Sequence, residues 1–173
     1  EHIALISIFG IFAASYFIRP LGGLVLASIG DRLGRRYALT LSIGLMCIPM
    51  LIMTIIPTYH TLGFWAVAIL IFARMLQGFS IGGEYTGVLV IIAENSSYHF
   101  RGFSTALASM TSQFGIILSA LVIGILTTIF TKVQMLDFGW RIAFFIGLLL
   151  GVISLFLQHS IKESPLFIKA KKE

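Results

Sequence analysis

Long apolar runs interrupted by short polar clusters set the pattern of this chain. Asp, Glu, Lys and Arg are absent from the 37 residues 37–73, the 30 residues 102–131 and the 20 residues 142–161. A helix rises ~1.5 Å per residue and needs ~20 apolar residues to cross the ~30 Å core of a bilayer. The pattern predicts five spans, at residues 3–29, 38–56, 64–93, 103–130 and 140–159. Pro49 falls inside the second span, where neighbouring helices satisfy the freed carbonyl. Pro57, Thr58, Tyr59 and His60 mark the turn that follows it.

Composition agrees with the pattern. The 173 residues are 58% hydrophobic and 11% charged, against about 25% charged in soluble domains. A water-soluble domain of this size keeps too much area in solvent to hide that apolar surface. The excess faces lipid, so the fold class is all-α integral membrane, with residues 1–173 forming a single membrane domain. The chain begins with Glu1 rather than Met, almost directly in an apolar span and without a signal peptide. We therefore expect an internal piece of a longer protein.

Charge then gives direction. Arg32, Arg35, Arg36, Arg101, Lys162, Lys169, Lys171 and Lys172 fall on one side of a five-span thread, and Lys132 and Arg141 on the other. Basic loops stay in the cytoplasm, so the first span enters from outside and the tail ends inside. The net charge of +5 is thus a topology signal in short loops, and nucleic acid is not an expected partner. Cys47 is the one cysteine, sits in an apolar run and permits no intrachain disulfide. His2, His60, His99 and His159 stand near span ends without metal-ligand spacing. No zinc-protease, serine-hydrolase or phosphate-loop motif occurs. Neither an enzyme nor a metal or organic cofactor is expected.

Three charges lie at membrane depth: Arg19 in the first span, Arg74 and Glu84 in the third. Each costs roughly 2.5–3.5 kcal/mol on insertion scales. Arg74 and Glu84 are separated by ~15 Å along the helix and ~80° around it, too far to pair. With no local partners, the three point to a polar cavity between helices. The alternative is three hydrogen-bonding anchors that fix helix packing. Glu84 is the candidate to load and release a proton. Arg74 is the candidate to hold a substrate carboxylate in its bidentate fork, a role Arg19 can share. Gln77, Tyr85 and Gln113 can add hydrogen bonds, Gln113 equally as an interhelical packing group. Gly78 with Gly82, and Gly83 with Gly87, form G-x-x-x-G pairs that let helix backbones approach closely.

Several of these residues fall in recognisable motifs. Residues 22–36, ending Asp31-Arg32-Leu33-Gly34-Arg35-Arg36, resemble the signature loop of the major facilitator superfamily between two apolar spans, with Ala27 where glycine is usual. Arg74-x-x-Gln77-Gly78 resembles the pattern of that superfamily's fourth helix. Ile81-Gly82-Gly83-Glu84-Tyr85-Thr86-Gly87 resembles the metabolite:proton symporters, and among them the proline/betaine type. Arg19-Pro20-Leu21-Gly22-Gly23, Gly139-Trp140-Arg141 and Glu163-Ser164-Pro165-Leu166-Phe167 agree.

The resemblance implies helices two to six of twelve, lacking the first helix and the C-terminal half of the same transporter. It implies alternating-access symport of a small-molecule solute in a bacterial inner membrane, with the proton as coupling ion. Proline- or betaine-like compatible solutes stand ahead of organic acids. It also implies a cytoplasmic gate of Asp31, Arg32, Gly34, Arg35, Arg36, Glu94, Arg101 and Glu163, whose ion pairs break when the inner side opens. There Asp31 would meet the absent half and be unpaired in this chain. The fourth span lacks the proline usual in drug antiporters. The rival reading is a truncated, non-transporting fragment or a structural membrane subunit.

Overall fold

A computed structural model describes residues 2–158 and 163, without the side chains of residues 2–8, 11 and 60. Lys162, Lys169, Lys171, Lys172, His159 and the run from Ser164 to Phe167 lie outside the described residues, as do the side chains of His2 and His60. The elements are α1 (His2–Leu33), α2 (Arg35–Ile55), the single turn α3 (Tyr59–Leu62), α4 (Phe64–Asn95), α5 (Arg101–Ile129), the short α6 (Lys132–Gln134) and α7 (Trp140–Gln158). A 3₁₀ turn at Tyr98–Phe100 precedes α5, and a π turn at Met135–Gly139 precedes α7. Five helices, α1, α2, α4, α5 and α7, are long and apolar enough to cross a membrane.

The predicted spans meet these helices to within a few residues, with one instructive difference. The expected loop at residues 31–37 is a single residue. Asp31 and Arg32 still belong to α1, while Arg35 and Arg36 already open α2. Gly34 makes the change of direction at φ 118°, ψ 145°, a conformation open essentially to glycine alone. Its N–H donates to the Gly30 carbonyl at 3.2 Å, and its own carbonyl accepts from Ala38 N–H at 3.2 Å. One residue thus closes one helix and starts the next.

Helix α4 is the hub, packed against α1, α2 and α5. Its contact with α1 is backbone on backbone. A Cβ at Gly22 would run into the Phe79 carbonyl, one at Gly78 into that of Ser15, and one at Gly82 into that of Arg19. One at Gly83 would strike the Leu26 side chain. Ser15, Arg19, Gly22 and Leu26 follow a helical three-or-four spacing, so one stripe of α1 beds into the glycine face of α4. Next to it, the Ser80 hydroxyl donates to the Ser42 carbonyl and ties α4 to α2. Gly87 leaves room for Leu39 of α2, whose Cδ2 would lie 3.0 Å from an added Cβ.

On its other side, α2 carries α7. Gly151 sits over Cys47, 2.9 Å from Sγ to a hypothetical Cβ, and Gly147 sits over Met50. Arg141 completes that contact with a forked donation to the carbonyls of Ile56 (2.8 Å) and Asp137 (3.0 Å). It thereby satisfies a carbonyl at the C-terminal end of α2. The connection into α7 also begins with a capping box, in which Thr131 and Gln134 satisfy each other's backbone N–H groups.

Helix α5 is largely exposed, with Leu126 its one buried residue. Large apolar side chains such as Phe17 (82% exposed) and Phe156 (74%) line the outside, as expected of a lipid-facing surface.

Three expectations concern stability in detergent. Gly22→Ala and Gly78→Ala force apart α1 and α4 and each lower stability by about 1–3 kcal/mol. Gly44→Ala, with nothing within 4 Å of an added Cβ, leaves stability equal or slightly higher. Gly34→Ala costs about 1–3 kcal/mol by backbone strain alone. Thermal unfolding of the full-length protein measures all four. Equal melting points across the set would contradict the close-contact geometry.

Candidate functional site

The α1–α4 contact decides which charges share a space. Arg19 sits at the crossing, its carbonyl pressed against Gly82. Two residues further along α4, Glu84 projects beside it into a cavity of about 1000 Å³ bounded by α1, α2, α4 and α5. Tyr16 and Arg19 line it from α1, Met46 from α2, and Glu84 and Tyr85 from α4. From α5 come Thr111, Ser112, Gly115 and Ser119, residues that recur on one face of a helix. The Tyr85 hydroxyl lies 3.3 Å from Ser109 Oγ and bridges α4 to α5 at the cavity edge.

Arg19 holds its guanidinium carbon 3.9 Å from the centre of the Tyr16 ring. Its Nε is buried and has no hydrogen-bond partner among the described residues. No ion pair links Arg19 to Glu84 among them.

Arg74 and Gln77 lie elsewhere. Neither lines the cavity. Arg74 donates to the Gln77 Oε1 at 3.3 Å, one turn along the same helix. Its guanidinium also faces two rings, Phe12 of α1 at 5.3 Å and Phe144 of α7 at 5.8 Å. The expectation that the intramembrane charges lack local partners is therefore corrected for both arginines. Arg74 takes an amide oxygen and two aromatic faces, Arg19 a tyrosine face, and cation–π contacts of this kind offset part of the burial cost. Gln113 is exposed on α5 and does not line the cavity. It is one residue, and so ~100° of rotation, away from Ser112, which does.

The glycines expected at a helix contact are at one: Gly78, Gly82 and Gly83 face α1, and Gly87 faces α2. Gly82 also lines the cavity.

The charges expected to form the gate gather at one end of the bundle. Arg35 lies 2.6 Å from Asp31 and 3.6 Å from Glu94. The expectation of an unpaired Asp31 is therefore corrected: once the turn shrinks to Gly34, Asp31 and Arg35 stand close enough to pair across it. The backbone N–H of Arg36 donates to both carboxylate oxygens of Glu163, at 3.1 and 3.3 Å. Glu163 thus caps the start of α2, where Gly34 offers no side chain. Arg32 is exposed on the last turn of α1. Arg101 opens α5 with its guanidinium 5.8 Å from the Tyr98 ring.

Tyr16, Met46, Thr111, Ser112 and Ser119 were not singled out in the sequence. The hydroxyls of α5 carried a readable signal, a small polar stripe at helical spacing within an otherwise apolar run. Tyr16 and Met46 carried none, since aromatic and Met residues occur throughout these spans.

Residues 4–173 match the family described as "Sugar (and other) transporter". The chain is 41% identical over 165 residues to the proline/betaine transporter of Escherichia coli (strain K12), covering 95% of this chain and 33% of that protein. It is 38% identical over 165 residues to the glycine betaine/proline/ectoine/pipecolic acid transporter OusA of Dickeya dadantii (strain 3937), with the same coverage. The chain spans about a third of the length of these relatives. Among solved structures it superposes on the proton:xylose symporter XylE bound to 6-bromo-6-deoxy-D-glucose with TM-score 0.87 at 21% identity, covering 99% of this chain and 38% of that one. A partially occluded inward-open form of XylE from E. coli gives TM-score 0.84 at 22% identity, over 95% and 40%.

These structures share the fold, that of the major facilitator superfamily. The five crossing helices and the bacterial relatives make the chain a multi-pass protein of the bacterial inner membrane, and its relatives are transporters, not enzymes. The chain belongs to the sugar (and other) transporter family, with the major facilitator fold, and is similar to the proline/betaine transporters.

Proposed function

We propose that a transporter built on this bundle carries out proton-coupled symport of a small zwitterion of the proline or betaine kind, by alternating access. The supporting observation is the shared cavity, which brings Arg19 and Glu84 together with two tyrosines and the hydroxyls of α5. The similarity to proline/betaine transporters supports the same substrate class. In this reading the rest of the transporter, its first helix and second half, closes the cavity.

The sign of coupling follows from the charges. With Glu84 ionised, the wall presents one negative and one positive group, and a substrate carboxylate competes with Glu84 for the field of Arg19. Protonation removes the negative charge and leaves Arg19 unopposed. Proton and substrate carboxylate therefore load together, which is the requirement for symport. The ammonium end of a zwitterion finds the ring face of Tyr85, since Tyr16 already carries the Arg19 guanidinium.

At the basic end, Asp31, Arg35, Glu94, Arg36 and Glu163 serve as the inner gate in this proposal. Arg32 and Arg101 keep that end in the cytoplasm. The Asp31–Arg35 pair, whose carboxylate is exposed, is individually weak, about 0–1 kcal/mol. Such a pair suits a gate that opens and closes many times.

Uptake into vesicles holding the full-length protein tests the proposal. Labelled proline and betaine accumulate when a proton gradient is imposed and not when it is collapsed; 2-oxoglutarate does not accumulate. Glu84→Gln retains exchange of labelled for unlabelled betaine but loses gradient-driven accumulation. Accumulation that ignores the gradient sinks the symport claim, and undiminished accumulation by Glu84→Gln removes that residue from coupling.

A further inference from the structure

Two arginines lie at membrane depth on neighbouring helices, and their surroundings divide them. Arg74 meets groups of its own protein away from the cavity: its Nη1 donates to the Gln77 amide oxygen at 3.3 Å, and two aromatic rings lie 5.3 and 5.8 Å from its guanidinium carbon. Arg19 is turned into the cavity wall. One face of its guanidinium lies on Tyr16, which fixes the plane and leaves the edge, where all its N–H donors are, to be used. At that edge the buried Nε–H meets no acceptor among the described residues. An unmet buried donor of a charged group is costly, so the protein leaves this guanidinium incompletely satisfied; the part of Arg19 that lines the cavity is the part a carboxylate can reach.

The backbone beneath Arg19 is fixed as well. Its carbonyl abuts Gly82, with Gly23 N also close to that glycine's missing Cβ. Pro20 follows directly and stiffens the chain there. The guanidinium therefore leaves a backbone that is wedged between helices and cannot easily swing away. Arginine's planar fork matches a carboxylate in a way that a lysine ammonium does not.

We propose that Arg19, not Arg74, is the residue that anchors the substrate carboxylate. Its guanidinium edge receives the two carboxylate oxygens, and the Tyr16 ring holds the plane in register. This rests on the proposed function and assigns the specificity-determining cation of that cavity. Arg74 is then a packing centre that joins α1, α4 and α7.

The test compares two ligands that share a trimethylammonium group, betaine with a carboxylate and choline without one. Binding of each to the full-length protein in nanodiscs is measured by competition against radiolabelled betaine, which separates binding from transport. The parent prefers betaine. Arg19→Gln weakens betaine binding roughly 10- to 100-fold, the scale of a lost charge-assisted hydrogen-bond pair, and leaves choline unchanged, so the preference collapses. Arg19→Lys, which keeps the charge and spares the fold, retains part of the preference. Arg74→Lys leaves the betaine-to-choline ratio as in the parent.

An unchanged ratio in both Arg19 variants overturns the anchor while leaving the symporter reading intact. So does a ratio that collapses in Arg74→Lys instead. If the parent protein binds neither betaine nor proline, the proposed function itself fails, and the anchor with it. If Arg19→Gln does not fold, the Arg19→Lys and Arg74→Lys ratios still decide between the two arginines.

Discussion

The rest of the bundle depends on how closely α1 and α4 approach each other. Glycine at positions 22, 78 and 82 removes the side chains that would otherwise strike carbonyls on the opposing helix. In a bilayer no hydrophobic effect presses helices together, so dispersion between well-fitted backbones supplies much of the attraction. The contact also has a geometric product. Because Arg19 abuts Gly82, the guanidinium of α1 and the carboxyl of Glu84 open onto one cavity. A bulkier residue at position 82 would move the two charges apart and change the chemistry as well as the packing.

Charge inside the membrane follows from the same contact. Every ionised group at this depth needs compensation, and the bundle supplies it in two ways. Arg74 is compensated from within the bundle, by Gln77 and by ring faces drawn from α1 and α7. Arg19 is compensated in part, by Tyr16 alone, with its buried Nε unmet among the described residues. The first arrangement stabilises a fold; the second suits a visiting ligand. At the basic end, Glu163 caps the first turn of α2 through Arg36 N–H, and Arg35 stands between Asp31 and Glu94.

Much of this was legible in the amino-acid order. Five crossing helices follow from apolar length, and the glycine pairs of α4 announce a close helix contact. Arg74 and Glu84 are too far apart along one helix to pair, whatever surrounds them. The single-residue turn was harder, because the dihedral angles of Gly34 leave no trace in an apolar pattern. The surroundings of Arg74 were not legible at all. Phe12 and Phe144 come from helices remote in sequence, and nothing local says that their rings meet one guanidinium. Gln113 shows how narrow the margin is: its neighbour Ser112 lines the cavity, and one residue of helical rotation separates them.

Arg19 and Glu84 line one cavity of the bundle. Cysteine accessibility probes whether water fills it, with Cys47→Ser as the background in the full-length protein. Arg19→Cys and Glu84→Cys are each treated with a membrane-impermeant, water-soluble thiol reagent. Gln77→Cys, buried between helices, is the control. Positions 19 and 84 are expected to react and position 77 to stay silent. Reaction at 77 with silence at 19 and 84 means that the two charges do not share an open space.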